Sequence, residues 1–167
     1  MAIEPPAATL GESVIAEETG LGRYQVEARV GSTAFLVDEP VAVGGLGSGP
    51  NPFDLMSAAL GSCTAMTIRL YANKKAWPLS RVRVRVAHHR GELQERDVYS
   101  REIHLEGQLD DTQRARLVEI AERCPVHLSL ERGADVTTTL APATHALSGE
   151  TGTLGEHMKN MEEACEA

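Results

Sequence analysis

Apolar and polar positions divide this 167-residue chain into short strands, one long apolar helix, a hairpin and a second helix. Residues 14–17, 24–30 and 34–37 are β-prone runs separated by Gly20, Leu21 and Gly22 and by Gly31 and Ser32, a spacing that predicts an N-terminal antiparallel meander. Residues 38–52 crowd Pro40, Gly44, Gly45, Gly47, Gly49, Pro50 and Pro52 into a loop before the next element. A helix follows, with Asn51 placed to cap it and Pro52 suited to its first position, and it is predicted to run to about Lys75. Between Asp54 and Arg69 no side chain is charged, the pattern of a helix buried on every face.

Trp77 and Pro78 end that helix. Residues 81–86 then alternate, Val82, Val84 and Val86 on one face and Arg81, Arg83 and Arg85 on the other, so one face is wet. A second strand over 98–109 follows the polar stretch 90–97, which predicts a hairpin with a long connection. Asp110 with Gln113 three residues on gives a capping-box start to a second helix. Leu117, Ile120, Ala121 and Cys124 share its inward face. Residues 125–132 add a short helical turn stopped by Gly133, and 135–140 read as a closing strand. The acidic, small-residue stretch 141–167, including Cys165, reads as a flexible or weakly helical tail, leaving 1–140 as a single domain.

Composition narrows the function. Residues 1–10 lack the order of a signal peptide and no apolar run is long enough to span a bilayer, so a soluble cytoplasmic protein is expected. A formal charge of −8 gives no footprint for nucleic acid or an anionic membrane; a small neutral or apolar partner fits better. Three irregularly spaced cysteines make no disulfide framework, and in a reducing compartment they rest as thiols.

Cys63 and Cys124 are the candidate chemistry. Both are placed to point inward, either as small core hydrophobes or as a protected nucleophile with a partner. The nucleophile reading needs a cation or helix amides beside the thiol, and Arg69, Arg23 and Arg29 are the arginines on offer. Cys124 and His127 form a C-x-x-H pair, only half of a zinc site. His88, His89 and His104 read as surface or satisfied histidines, and the Arg81, Arg83, Arg85 stripe as a solvated face.

The run Gly49-Pro50-Asn51-Pro52-Phe53-Asp54-Leu55-Met56-Ser57-Ala58-Ala59-Leu60-Gly61-Ser62-Cys63, with Cys124-Pro125-Val126 some sixty residues later, resembles the OsmC/Ohr family of thiol-dependent peroxidases. The resemblance extends over residues 14–140. It implies an α+β, OsmC-like fold, with antiparallel sheets wrapped around a central cysteine helix, and an intertwined homodimer with its sites at the subunit interface. It further implies that Cys63 is the peroxidatic cysteine and Cys124 the resolving one. The chemistry implied is reduction of an alkyl or lipid hydroperoxide through a Cys63 sulfenic acid and a Cys63–Cys124 disulfide, reset by an external dithiol. No cofactor and no metal is called for. Phe53 stands where peroxidases of the family usually carry a glutamate that orients an arginine. Asp54 is the next carboxylate, but nine residues at about 100° each turn it to the side opposite Cys63. Arg23, in the loop between the first two strands, is the arginine the resemblance favours. Phe53, Leu55 and Met56 are the expected substrate contacts, and Thr64 a hydrogen-bond donor to Cys63. An OsmC-fold binding or redox-sensing protein with slow thiols is the alternative.

Overall fold

The computed structural model describes residues 13–140, 142 and 156–166. They divide into two compact units, one holding residues 13–52 together with 135–140 and 142, the other Phe53–Ala134 and the C-terminal helix. No helix among the described residues is long and apolar enough to cross a membrane.

The first unit is built on the expected meander. Strands β1 (Ile15–Glu18), β2 (Val26–Val30) and β3 (Thr33–Val37) pair antiparallel in that order, with Gly31 at φ 57° in the tight turn between β2 and β3. The glycine-rich loop then folds around the buried Asp38. Its carboxylate accepts hydrogen bonds from the amides of Glu39 (2.8 Å), Leu46 (3.0 Å) and Ser48 (3.2 Å) and from the Ser48 hydroxyl (2.8 Å). Burial pushes the Asp38 carboxyl up, but these four donors outweigh it and hold it below its ordinary value. Gly49 is required where the loop returns, since a Cβ there would sit 2.0 Å from the Leu36 carbonyl oxygen. Residues 135–140 are not a strand, contrary to the sequence expectation. Thr137, Thr138 and Thr139 have the propensity, but all are exposed and no neighbouring strand offers them a ladder.

In the second unit, helix α1 (Pro52–Lys74) is the spine. Leu60, Cys63, Thr64, Thr67, Ile68, Tyr71 and Ala72 recur three and four apart and are its buried residues. The opposite face is open: Ala58, Ala59 and Ser62 are exposed and Met66 is 51 % exposed. The expectation of burial on every face is therefore corrected, because an uncharged run shows that a face tolerates burial and not that the same chain covers it.

Strands β4 (Leu79–His89) and β5 (Val98–Gly107) form an antiparallel hairpin in which Val84 opposes Ile103 and Val86 opposes Arg101. Val82, Ile103 and Leu105 pack on the main core of Ile68, Tyr71, Leu117 and Ile120, while Arg81, Arg83 and Arg85 are exposed, the solvated stripe foreseen. The two strands also close on α1, where a Cβ at Gly61 would meet Val86 Cγ2 at 3.2 Å.

Helix α2 (Asp111–Ala121) starts with the full capping box, Asp110 accepting from the Gln113 amide and the Gln113 side chain accepting from the Asp110 amide. Arg114 donates to the Leu105 and Gly107 carbonyls and fixes α2 to the end of β5. After Cys124, helix α3 (Pro125–Arg132) begins with Pro125 at its first turn and ends at Gly133. Of the acidic segment 141–167, expected to be flexible or weakly helical, residues 141, 143–155 and 167 lie outside the described residues, and the rest holds a fourth helix, α4 (Glu156–Glu166), whose Met161 is 2 % exposed and whose Cys165 joins the main core. His157, Met161 and Cys165 lie four apart, a one-faced stripe that overrides the acidic composition.

Candidate active site

Cys63 and Cys124 come from different elements and meet. Cys63 lies on the buried face of α1, and Cys124 follows the last turn of α2, where its amide bonds to the Ala121 carbonyl at 3.3 Å. Pro125 stops the helix from continuing and turns the Cys124 sulfur to the start of α3. The two sulfurs are 2.7 Å apart and both are free thiols. Leu60, Val86, Tyr99, Val126 and Leu130 pack around them, so that Cys63 is 1 % and Cys124 0 % exposed.

Three further groups reach Cys63: the Val126 amide donates to its sulfur at 3.5 Å, His157 of α4 places Nε2 3.3 Å from it, and the Thr67 hydroxyl bonds to it and helps draw its thiol down. The thiol pair gives up one proton easily and the second only with difficulty, because one S–H stabilises the neighbouring thiolate and two adjacent buried charges repel. Taken between themselves, the thiols favour the charge on Cys124. The hydrogen bond to Cys124 and burial push the Cys63 thiol up, whereas the hydrogen bond from Cys63 draws Cys124 down against its burial, with help from the His127 amide and the Thr64 hydroxyl.

Behind the pair stands Arg101, its side chain 9 % exposed. Nη1 donates to Thr64 Oγ1 (2.9 Å) and the Ala121 carbonyl (3.0 Å), and Nη2 to Glu122 Oε1 (3.0 Å) and His127 Nδ1 (2.9 Å). Arginine only donates, so His127 Nδ1 is the bare nitrogen and the ring proton sits on Nε2, facing Glu122 (3.4 Å) and Glu131 (3.6 Å). Arg101 thus ties α1, the end of α2 and the start of α3 together around the thiols. His127 is engaged in this network, and no group of metal-ligating side chains forms among the described residues.

A cleft of about 380 Å³ opens one turn along α1 from Cys63, with Leu60, Tyr99, Ile103, Val118 and Leu130 on one side and Arg96, Asp97, Arg101, Glu122, His127 and Glu131 on its polar side. This is a mixed wall suited to an apolar tail with a polar head. Met56, one of the expected substrate contacts, lines a second cleft of about 270 Å³ with Tyr99 and Leu130, and its sulfur lies 3.7 Å from the Tyr99 hydroxyl. Leu55 is half-buried on α1. Phe53 stacks on the His88 ring, centroids 4.5 Å apart and planes 8° from parallel, with the Arg90 guanidinium 5.2 Å from its centroid. His88 and Arg90 in turn hold Asp97, whose carboxyl the Arg90 and His88 hydrogen bonds draw down to about 2. The position of the family glutamate is therefore filled by an aromatic platform with its own charged cluster. Asp54 is exposed in the first turn of α1. Arg23 lies in the loop between β1 and β2, in the other compact unit, with its guanidinium 5.9 Å from the Tyr24 ring centroid.

Arg101, His157 and the second role of His127 are absent from the sequence reading. Arg101 left a trace, since it takes an inward position of β5 between Tyr99 and Ile103, where the alternation calls for an apolar side chain. His157 left the four-residue spacing with Met161 and Cys165.

Residues 45–139 match the family model described as OsmC-like protein. No curated protein matches the chain. Among solved structures, the organic hydroperoxide resistance protein OsmC of Legionella pneumophila is 25 % identical, with 71 % of this chain and 88 % of that one covered at a TM-score of 0.55. An OsmC like protein of Mycoplasma pneumoniae is 19 % identical (72 % and 86 % covered, TM-score 0.57). An organic hydroperoxide resistance protein of Elizabethkingia anophelis is 20 % identical (75 % and 90 % covered, TM-score 0.53). The last two carry the likeness of fold.

Proposed function

Given that the chain belongs to the OsmC-like family, we propose that it is a dithiol peroxidase acting on organic hydroperoxides. The observation that carries this reading is the 2.7 Å approach of two free, enclosed thiols drawn from separate elements. Names of solved relatives as hydroperoxide resistance proteins support it. A Cys63 thiolate attacks the terminal oxygen of the hydroperoxide, the O–O bond breaks, and the alkoxide leaves and takes the Cys124 thiol proton to become the alcohol. Sulfur is oxidised by two electrons to the sulfenic acid. The Cys124 thiolate then displaces hydroxide from it, which is protonated to water, and a disulfide forms. An external dithiol returns both thiols. Leu60, Ile103, Val118 and Leu130 on one side of the larger cleft give an organic tail apolar contacts that hydrogen peroxide lacks.

Arg23 is assigned, through the family resemblance, to assist Cys63, with Asp54 the carboxylate nearest in sequence to the replaced glutamate. A cytoplasmic homodimer belongs to the same proposal, a second copy covering the open α1 face around Met66. The enclosure of both sulfurs favours the second reading, a redox-sensing or ligand-holding protein with slow thiols. Stopped-flow oxidation of the reduced protein by cumene hydroperoxide and by hydrogen peroxide, with intact mass afterwards, separates the two. Fast, selective loss of two thiols to one intramolecular disulfide supports the peroxidase. Slow, unselective oxidation refutes it.

A further inference from the structure

His157 is the feature that the sequence reading leaves unused. It stands at the start of α4, and the helix holds it in place from the same face: Met161 is buried and the Cys165 sulfur lies 3.8 Å from the Thr67 carbonyl oxygen, one turn beyond Cys63. Nε2 then lies 3.3 Å from Cys63 Sγ, on a sulfur also met by Cys124, the Val126 amide and the Thr67 hydroxyl. The ionisable groups facing Cys63 are thus Cys124 from the α2–α3 junction and His157 from α4. Tyr99 of β5 packs on the pair, and Arg101 and His127 stand one residue farther out, on Thr64 and Glu122.

We propose that His157 is a catalytic residue of the thiol pair, its imidazole selecting Cys63 and not Cys124 as the sulfur that carries the negative charge. This rests on the peroxidase reading for its role in turnover, though the charge placement stands without it. Between themselves the two sulfurs favour charge on Cys124, which the start of α3 stabilises. A nucleophile on Cys63 needs a donor on the Cys63 side. When Nε2 carries a proton it donates to Cys63 Sγ, the charge moves there, and Cys124 keeps its proton and points it at the same sulfur. These two donors add to the Val126 amide and the Thr67 hydroxyl in stabilising the attacking thiolate, and the Cys124 proton is ready for the leaving alkoxide. The imidazole supplies, from inside the same compact unit, the polar partner for Cys63 that Phe53 does not provide.

The test reads which sulfur reacts first. The full-length reduced protein is treated with substoichiometric iodoacetamide at pH 7 and the adducts are assigned by peptide mapping, for the wild type and for His157→Gln and His157→Ala. The wild type is expected to react first at Cys63. Both variants are expected to lower the Cys63-to-Cys124 ratio about tenfold, the equivalent of one pKa unit. If His157 only anchors α4, its loss exposes both sulfurs, both rates rise together and the ratio holds, which overturns the inference, as does first reaction at Cys124 in the wild type. A ratio that shifts in a protein that consumes no hydroperoxide sustains the charge placement and sinks the peroxidase reading alone.

Discussion

Arg101→Met is the perturbation whose size follows most directly from the geometry. Methionine keeps much of the aliphatic stem and removes every donor. Of the four acceptors Arg101 serves, Glu122 is 58 % exposed and turns to water at little cost. Thr64 still donates to the Leu60 carbonyl at 2.7 Å and loses only an incoming bond. The buried Ala121 carbonyl keeps the Cys124 amide at 3.3 Å and loses its shorter bond, while the half-buried His127 Nδ1 loses the donor that Arg101 gave it. One lost bond to a buried carbonyl and one half-buried acceptor left without its donor together cost about 1–3 kcal/mol. Trp77 is the chain's one tryptophan and packs against the core of the same unit, so its fluorescence reports that unit in urea. With a slope of about 2 kcal/mol per molar, the midpoint falls by roughly 0.5–1.5 M. Arg101→Lys, which keeps the charge but not the two-branched reach, is expected to lose less. A shift below about 0.3 M for Arg101→Met, with unchanged slope, would show that the network is decoration and not a brace.

Cys63→Ser is expected to abolish hydroperoxide consumption, whereas Cys124→Ser should give one turnover and leave a sulfenic acid that a dimedone probe detects by mass; full activity in Cys63→Ser sinks the mechanism. Asp97 is held at about 2, below its ordinary value, so its contribution is complete above about pH 4 and is lost as pH falls toward 2. Asp97→Asn should therefore flatten the acid side of a thermal-melt series in that window, and an unchanged profile would refute the assignment. Gly49→Ala forces a Cβ into the Leu36 carbonyl, and overpacking of about 1–3 kcal/mol should speed hydrogen exchange at the Leu46 and Ser48 amides that Asp38 holds.

What the sequence made legible was local. The capping box at Asp110, Pro52 at the start of α1 and the valine–arginine alternation of β4 each act within a few residues, and each appears where the pattern puts it. What it hid was decided across the chain. The approach of Cys63 to Cys124 depends on how α2 ends against α1, and nothing in either segment alone fixes it. Thr137 to Thr139 show the converse, good strand residues without a strand to pair with. Phe53 is an anomaly against a family pattern until His88 and Arg90, far along the chain, supply its stacking partners. In α4, eleven residues rich in glutamate conceal three inward positions, His157, Met161 and Cys165, on which the helix is docked.

The two sulfurs that touch are separated by 61 positions in the chain. In the proposed oxidised form a bond between them would encircle the C-terminal half of α1, the whole β4–β5 hairpin and α2, the greater part of the unit. Closing a ring of that size removes about 4 kcal/mol of unfolded-state freedom, so heat resistance would serve as a gauge of oxidation. Cells exposed to peroxide would hold the sturdier form, and the dithiol that resets the pair would also relax it.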